Sequence, residues 1–305
     1  MERRAVIVGL GEVLWDVFPD GALFGGAPAN FVRSAADLAQ GSCDVAMVSG
    51  VGDDDLGRRA LEAFRQHGVN TAHVMRLGYP TGTVDVRVDA AGHASYEFAV
   101  DTAWDHLGWT DDLARLAART NVVCFGTLGQ RDVESRETIR RFVAATPADS
   151  LRLLDINLRP PYWTEQVVLD SLKLAGALKL NDDELSVLAH LVNLRGSQMD
   201  MLRQLMDRYQ LTVAALTRGP QGAILVNARG EISDLPSPPT TVVDTVGAGD
   251  AFSAALVVGL IRGWPLTVIN AWAVRVAAHV CSQAGASPHL SPELLAAIQA
   301  EAFAG

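Results

Sequence analysis

The sequence predicts an α/β fold, a three-layer α/β/α sandwich around a mostly parallel central sheet. Six short apolar runs have the composition of buried strands, and helical patterns lie between most of them. This alternation is typical of a parallel sheet that helices cover on both faces. The six runs are Ala5–Leu10, Asp44–Ser49, Asn121–Phe125, Leu151–Ile156, Ala177–Leu180 and Thr212–Leu216.

Seven segments have helical patterns. The last of them is almost entirely apolar and ends before Gly263, a frequent helix stop. The segments are Asn30–Ala39, Asp55–His67, Ser135–Ala145, Glu165–Ala175, Asp183–Leu194, Gln198–Tyr209 and Ala251–Ile261.

Two segments break the alternation. Val13–Phe24 is short and extended, and Thr83–Val88 alternates like a strand, followed by a turn at Asp89–Gly92 and a second strand at Ser95–Phe98. Such insertions can form a flap over the carboxyl ends of the parallel strands, where α/β sheets bind ligands.

We therefore expect one domain over residues 1–305, with a discontinuous β lid formed by about 13–29 and 80–103. Phe18, Tyr96 and Phe98 are candidates for the inner face of this lid. The same side chains would suit an interface between two subunits, because an exposed hairpin sheet needs a partner surface.

The composition excludes several other classes of protein. A formal net charge of −10 argues against a general nucleic-acid or anionic-membrane binder. Cys43, Cys124 and Cys281 are odd in number and far apart, which argues against a disulfide framework or a zinc site. The run Ala5–Leu10 is too short for a signal peptide, and no stretch approaches the ~20 apolar residues of a membrane span. A cytoplasmic protein is expected.

The N-terminal Val6-Ile-Val-Gly-Leu-Gly11 resembles the start of a dinucleotide-binding turn. The third glycine of that fingerprint would fall at position 14, which is Leu14, and the following residues look extended instead of helical. A nicotinamide enzyme is therefore disfavoured.

The segment Asp244-Thr-Val-Gly-Ala-Gly-Asp250 lies where a loop enters the last predicted helix. The first backbone N–H groups of a helix have no intrahelical partner, and the helix dipole favours an anion there. Gly247, Ala248 and Gly249 let the backbone close around such an anion. Asp250 would then take a proton from a hydroxyl while the amides hold a transferring phosphoryl group. A tight turn capped by an aspartate explains the same residues without catalysis.

A second glycine cluster, Gly25-Gly-Ala-Pro-Ala-Asn30, precedes a helical pattern, and Asp16 lies shortly upstream. Asn30 and Asp16 offer an amide and a carboxylate, the paired donor and acceptor that a polyol needs. A turn whose asparagine caps a helix is the alternative.

Two further clusters follow strand-like runs. In Asn181-Asp-Asp-Glu184, the first and last side chains fall one helical turn apart, which suits a phosphate and Mg²⁺ site and equally suits a capping box. Thr217-Arg-Gly-Pro-Gln-Gly222 could lie along a nucleotide, or form an ordinary hairpin turn.

Together these clusters resemble the ribokinase-like (PfkB) carbohydrate kinases. Gly25-Gly-x-x-x-Asn30, Asn181-x-x-Glu184 and Asp244-Thr-x-Gly-Ala-Gly-Asp250 occur in the family's order, and the similarity covers nearly the whole chain. Gly11–Asp16 and Asp155–Arg159 most resemble bacterial fructokinases and related sugar kinases. The resemblance implies a ribokinase-like sandwich with a β lid, and an ATP-dependent kinase of a small sugar, with fructose as the first candidate.

On the matching positions, the resemblance implies that Asp250 is the base that deprotonates the sugar hydroxyl. The amides of Gly247, Ala248 and Gly249 would form the anion hole for the γ-phosphoryl group. The residues that would hold the sugar are Asp16, Gly26, Asn30 and Arg159.

The resemblance also implies ATP and Mg²⁺ as cofactors. Asn181, Thr217 and Gly219 would line the nucleotide site, and Glu184 would hold Mg²⁺ through water, which suits a metal that keeps several waters.

A monovalent cation, K⁺, is implied beside the anion-hole loop. Asp244 and the carbonyl of Val246 match part of such a site, with Ala284-Gly285 and Ser287 as candidates for the rest.

The expected partners are a small sugar, ATP and a second copy of the chain, bound through the β lid. Ribose, 2-keto-3-deoxygluconate and nucleosides stay open as substrates, because kinases of these compounds share the implied scaffold. A sugar-binding sensor that lacks catalysis is disfavoured by the intact Asp250 and Asn181-x-x-Glu184.

Overall fold

The structure is a computed structural model that describes residues 4–19, 21–88 and 94–304. Within these ranges it contains thirteen strands and ten α-helices. The strands are β1 (Ala5–Leu10), β2 (Leu14–Phe18), β3 (Gly21–Gly25), β4 (Cys43–Gly52), β5 (Val74–Leu77), β6 (Gly82–Val88), β7 (Ala94–Phe98), β8 (Val122–Phe125), β9 (Leu151–Asp155), β10 (Ala177–Asn181), β11 (Val213–Thr217), β12 (Ala223–Asn227) and β13 (Ile232–Leu235). The helices are α1 (Ala27–Ala39), α2 (Asp55–Gln66), α3 (Asp111–Ala117), α4 (Val133–Ala145), α5 (Glu165–Leu174), α6 (Asp182–Leu191), α7 (Gln198–Tyr209), α8 (Ala248–Ile261), α9 (Leu266–Cys281) and α10 (Pro292–Ala304).

Nine strands form the central sheet, in the order β13-β12-β11-β10-β9-β8-β1-β4-β5. The neighbouring pairs from β11 to β5 are parallel, and the two pairs that involve β12 are antiparallel. The carboxyl ends of the parallel strands therefore meet at one edge, where α/β sheets bind their ligands. The predicted mostly parallel sheet is confirmed.

Helices cover both faces of this sheet. Successive side chains of a strand point to opposite faces, so along β1 Ile7 joins one hydrophobic core and Val8 the other. The Ile7 core is shared with α1, α2, α8, α9 and α10, and the Val8 core with α3 to α7. The predicted three-layer sandwich is confirmed.

A separate four-stranded sheet has the order β3-β2-β6-β7 and comes from both segments that were predicted to be extended. Its register puts Asp16 opposite Val84 and Val84 opposite Phe98, so these side chains share one face. The turn predicted at Asp89–Gly92 lies outside the described residues.

Local sequence explains how the elements that carry the site begin. Pro28 stands in the first turn of α1, where its missing N–H costs nothing. α6 begins with the capping box of Asn181 and Glu184, and α8 begins at a left-handed Gly247. No helix within the described ranges has both the length and the apolar character needed to cross a bilayer.

Candidate active site

Two adjoining cavities lie at the carboxyl edge of the central sheet. A cleft of about 720 Å³ lies between this edge and the small sheet. A second cavity, of about 460 Å³, is lined by α8, α9 and the loops around β11 and β13. Thr217, Thr245 and Gly249 line both. Ligands in the two cavities would therefore meet at the first turn of α8.

The loop that enters α8 has a backbone that requires glycine. Gly247 caps the helix with a φ of 79°, in the left-handed region that disfavours other residues. A Cβ at this position would collide with the carbonyl oxygen of Ala286. The loop before α8 and the loop after α9 are thus in direct contact at this point.

The first turn of α8 presents free donors. In the described part of the chain, the backbone N–H groups of Gly249 and Asp250 have no protein acceptor, and the Ala248 N–H makes only a long hydrogen bond of 3.4 Å to the Thr245 carbonyl. Free N–H groups at a helix N-terminus attract an anion, and the helix dipole adds to this attraction.

Asp250 lies in the same turn, and its side chain lines the cleft. Its Oδ2 accepts a hydrogen bond of 2.9 Å from Nδ2 of Asn30, which is on α1. Burial and, second, the nearby Asp155 raise the pKa of Asp250 to about 6, against the opposing effects of Lys179, Asn30 and Arg159. The carboxylate is therefore ionised at neutral pH and remains basic enough to accept a proton.

The four residues assigned to a sugar by resemblance, Asp16, Gly26, Asn30 and Arg159, all line the cleft. The pKa of Asp16 is raised to about 6, chiefly by burial and slightly by Asp244, whereas Arg159 opposes this shift. The buried Oδ1 of Asn30 has no hydrogen-bond partner among the described residues. This side of the cleft therefore offers acceptors that a hydroxylated ligand can satisfy.

A buried ion pair supports the floor of the cleft. Nζ of Lys179 on β10 donates to Oδ1 of Asp155 at 3.0 Å, and Oγ of Ser253 on α8 donates to Oδ2 at 2.8 Å. A Cβ added at Gly249 would lie 2.8 Å from Lys179 Nζ. The ammonium group is thus held against the anion-binding turn, where it adds positive charge.

The second cavity is mainly apolar. Val242, Phe252 and Val274 line it, and Thr217 and Gly219 line it at the end of β11. An apolar wall beside an anion-binding turn suits a nucleotide, whose base is flat and weakly polar and whose phosphates are anionic.

Asn181 and Glu184 form a capping box whose two side chains bond reciprocally to each other's backbone N–H. Asn181 lines the cleft, whereas Glu184 is buried and its second oxygen accepts from Leu158 N at 3.0 Å. The capping box does not exclude a Mg²⁺ site at the same residues. Each Glu184 oxygen accepts one protein hydrogen bond and keeps a second lone pair for a water.

Asp244 joins the loop before α8 to the loop after α9. Its Oδ1 accepts from Val246 N at 3.0 Å and its Oδ2 accepts from Gly285 N at 3.2 Å. Oγ of Ser287 in the second loop is buried and has no hydrogen-bond partner among the described residues. The structure thus brings the residues assigned to a K⁺ site onto two neighbouring loops.

Three charged residues of this region were not predicted from the sequence to be site residues. Lys179 and Asp155 stand in apolar runs of strands that are buried on both faces, and Glu12 lies two residues after the end of β1. A charged residue in such a run needs a buried partner or a ligand. That rule could have identified Lys179 and Asp155 as a pair.

The site thus contains one candidate base, Asp250, and one anion-binding turn at the start of α8. The cleft and the second cavity adjoin at this turn. A hydroxyl in the cleft and a phosphoryl group in the anion site could react there, because phosphoryl transfer depends chiefly on positioning and charge stabilisation.

Comparison with known proteins identifies the family. The sequence profile of the pfkB family carbohydrate kinases matches residues 21–293. The chain belongs to this family. It is therefore an ATP-dependent carbohydrate kinase with a ribokinase-like fold, as the resemblance implied.

Three relatives illustrate the range of the family. A fructokinase from Klebsiella pneumoniae is 33% identical over 266 residues, which cover 82% of this chain and 83% of that protein. Aminoimidazole riboside kinase from Salmonella typhimurium is 29% identical over 269 residues, which cover 86% and 79%. An uncharacterized sugar kinase from Pyrococcus horikoshii has a structure with a TM-score of 0.81 at 28% identity, over 98% of this chain and 100% of that one. That kinase has also been solved with ATP.

These relatives carry different substrate names, fructose and aminoimidazole riboside. Family membership therefore defines the type of reaction, and the sugar has to be argued from the cleft.

We expect Gly247→Ala to lower ATP-dependent turnover by at least about 10²-fold, because the new Cβ meets the Ala286 carbonyl and displaces the anion-binding turn. The measurement is ADP production with the preferred sugar. Gly263→Ala is the matched control, since Gly263 has a φ of 67° at the other end of α8 and open space around it. Equal turnover in the two variants would show that the position of this turn does not matter.

Proposed function

We propose that the protein is a fructokinase: it transfers the γ-phosphoryl group of ATP to a primary hydroxyl of a small neutral sugar, with fructose as the first candidate. The observation that carries this proposal is the position of Asp250. Its carboxylate lies beside the free N–H groups of α8, where the cleft and the second cavity meet.

Asp250 is the proposed base. The hydrogen bond from Asn30 fixes its Oδ2, which leaves Oδ1 to accept the proton of the sugar hydroxyl. The hydroxyl oxygen then forms a bond to the γ-phosphorus as the bond from that phosphorus to the bridging oxygen of ADP breaks. Such base catalysis contributes about 10²- to 10⁴-fold to the rate.

The first turn of α8 is the proposed anion hole. The N–H groups of Gly247, Ala248 and Gly249 and the ammonium of Lys179 would stabilise the charge on the transferring phosphoryl group. These donors are fixed before the reaction, by the left-handed Gly247 and by the Asp155 ion pair, so they need little reorganisation.

Asp16, Gly26, Asn30 and Arg159 are proposed to hold the sugar. Of the described charged side chains that line the cleft, three are carboxylates and two are cations, and one of these cations, Lys179, is already paired with Asp155. This balance favours a neutral sugar over a phosphorylated sugar or a sugar acid, because an anionic ligand would meet net negative charge.

The second cavity is proposed to hold ATP, with Thr217 and Gly219 along the nucleotide and Asn181 near its phosphates. The residues present fit Mg²⁺ bound through water, because Glu184 keeps two free lone pairs beside the cleft-lining Asn181. Bound Mg²⁺ would neutralise charge on the phosphates.

Asp244 and the carbonyl of Val246 are proposed to bind K⁺ together with Ser287. The two Asp244 oxygens already tie the loop before α8 to Gly285, and the unpartnered Ser287 hydroxyl supplies another oxygen nearby. A cation here would stiffen the loop that precedes the anion hole.

The small sheet is proposed to act as a lid over the sugar and as a dimer interface. Leu14, Val84 and Phe98 on its inner face line the cleft, so this face could exclude water from the reaction. Leu23 belongs to the same face and is 49% exposed, and Tyr96 is 56% exposed. An apolar sheet face of this kind favours a second copy of the chain.

We expect Leu23→Asp to shift the protein from dimer to monomer, because a charge would enter the proposed apolar interface. Sedimentation velocity at several concentrations measures the change. Val133→Asp on α4 is the control, since Val133 is 55% exposed and lies outside the small sheet. A wild-type protein that stays monomeric at every concentration would contradict the dimer.

The substrate is tested by ADP production from MgATP with fructose, ribose, 2-keto-3-deoxygluconate, glucose and adenosine, each with and without K⁺. We expect the highest kcat/KM with fructose and an increase on addition of K⁺. A preference for another compound would contradict the fructokinase assignment, and the protein would then be a kinase of that compound. Activity that is independent of K⁺ would contradict the cation site alone.

We expect Asp250→Asn to lower kcat by at least about 10²-fold, because the amide cannot accept the hydroxyl proton. The folded-state pKa of Asp250 lies above its usual value of 3.8, so its ionisation costs stability as pH rises from 3.8 to about 6. The variant should therefore melt at the same temperature as wild type at pH 8, or higher. Wild-type turnover in this variant would refute Asp250 as the base.

A further inference from the structure

A buried carboxylate at the base of the cleft has no role in the mechanism above. Glu12 lies two residues after the end of β1 and is only 2% exposed. It lines the cleft and also a small cavity of about 10 Å³, which Thr127 and Asn157 help to enclose. A cavity of that size has room for about one water molecule.

The two oxygens of Glu12 have different surroundings. Oε1 accepts a hydrogen bond of 3.3 Å from the backbone N–H of Ala27, the first residue of α1. Oε2 is buried and has no protein partner in the described part of the chain. A buried acceptor without a partner costs stability, so Glu12 is not an optimised structural residue.

Glu12 also replaces a missing helix cap. Gly26 stands at the N-cap of α1 and has no side chain to accept from the free N–H groups. A Cβ at Gly26 would lie 2.7 Å from the carbonyl oxygen of Glu12, so the two backbones are in close contact. The Glu12 carboxylate therefore supplies the negative charge that the N-terminus of α1 favours.

This helix terminus carries the sugar site. The N–H of Asn30 donates to the carbonyl of Gly26 at 2.9 Å, which closes the first turn of α1. The Asn30 side chain then reaches Asp250. A continuous path of hydrogen bonds and backbone thus connects Glu12 with the proposed base.

We propose that Glu12 is a positioning residue of the sugar site: its ionised carboxylate holds the first turn of α1 against the end of β1 and so directs Asn30 toward Asp250 and the sugar. The inference rests on the proposed sugar kinase function.

The charged groups around Glu12 make its ionisation sensitive to pH. Burial and the facing carboxylate of Asp250 on α8 raise the pKa of Glu12, whereas the backbone N–H groups of Glu12 and Ala27 and the charge of Arg159 lower it, and the resulting pKa is about 7. Cys124 on β8 and Asp155 at the end of β9 line the same small cavity. The folded-state pKa exceeds the usual value of 4.5, so the folded protein loses stability as pH rises from 4.5 to about 7. The carboxylate is therefore about half ionised near pH 7 and mostly ionised at pH 8, despite this cost.

The test is Glu12→Gln in the full-length chain, assayed with the preferred sugar between pH 5 and 9. At pH 8 we expect the sugar KM to rise about tenfold with kcat within about threefold, since the amide lacks the charge that holds α1. The wild-type profile of kcat/KM should show one inflection near pH 7 from Glu12 and one near 6 from Asp250 and Asp16. The variant should keep only the lower one and should melt no lower than wild type at pH 8.

Asp200→Asn is the matched control. It removes a carboxylate from the first turn of α7, and Asp200 lines neither the cleft nor the second cavity. It should leave both the KM and the pH profile unchanged. If Glu12→Gln does not fold, Glu12→Asp keeps the charge, shortens its reach, and should still raise the sugar KM.

An unchanged KM with both inflections kept would overturn the proposal, as would a loss confined to kcat or an equal effect of Asp200→Asn. Failure of the proposed function is visible separately, in a wild-type protein that phosphorylates no sugar of the panel.

Discussion

The hydrogen bond between Asn30 and Asp250 is the interaction on which the rest of the site depends. It joins two helices whose residues are 220 positions apart in the chain. α1 begins beside the proposed sugar residues, and α8 begins with the proposed anion hole. Because both helices pack into the same hydrophobic core, this core determines how closely an acceptor hydroxyl and a donor phosphoryl group can approach each other.

The same region concentrates negative charge that the fold alone does not need. Glu12, Asp16 and Asp250 all have raised pKa values because burial disfavours their ionised forms. Lys179 and the free N–H groups of α8 offset part of this charge from the phosphate side. Such an arrangement costs stability in the free protein and is typical of a site organised for ligands. Closure of the small sheet would strengthen these interactions by excluding water.

Much of the fold could be predicted because its elements carry local signals. The apolar runs of β1 and β8 to β11 and the helical pattern of α7 were recognisable from periodicity alone. The antiparallel β12 and β13 were not, since their pairing depends on contacts between distant residues. The glycine-rich loop and its aspartate have a recognisable pattern, whereas Lys179 lies in an apolar run whose length and composition resemble any buried strand. Only the assembled sheet shows that its ammonium group faces Asp155 and Gly249.

The most direct test is a crystal structure with the preferred sugar and a non-hydrolysable ATP analogue. We predict that one primary hydroxyl oxygen lies within about 3.2 Å of an Asp250 oxygen. The same oxygen should lie about 3.5 Å from the γ-phosphorus, with that phosphoryl group on the N–H groups of Gly247 to Gly249. A sugar whose nearest hydroxyl is separated from Asp250, or a γ-phosphate bound away from α8, would show that this turn is not the catalytic centre.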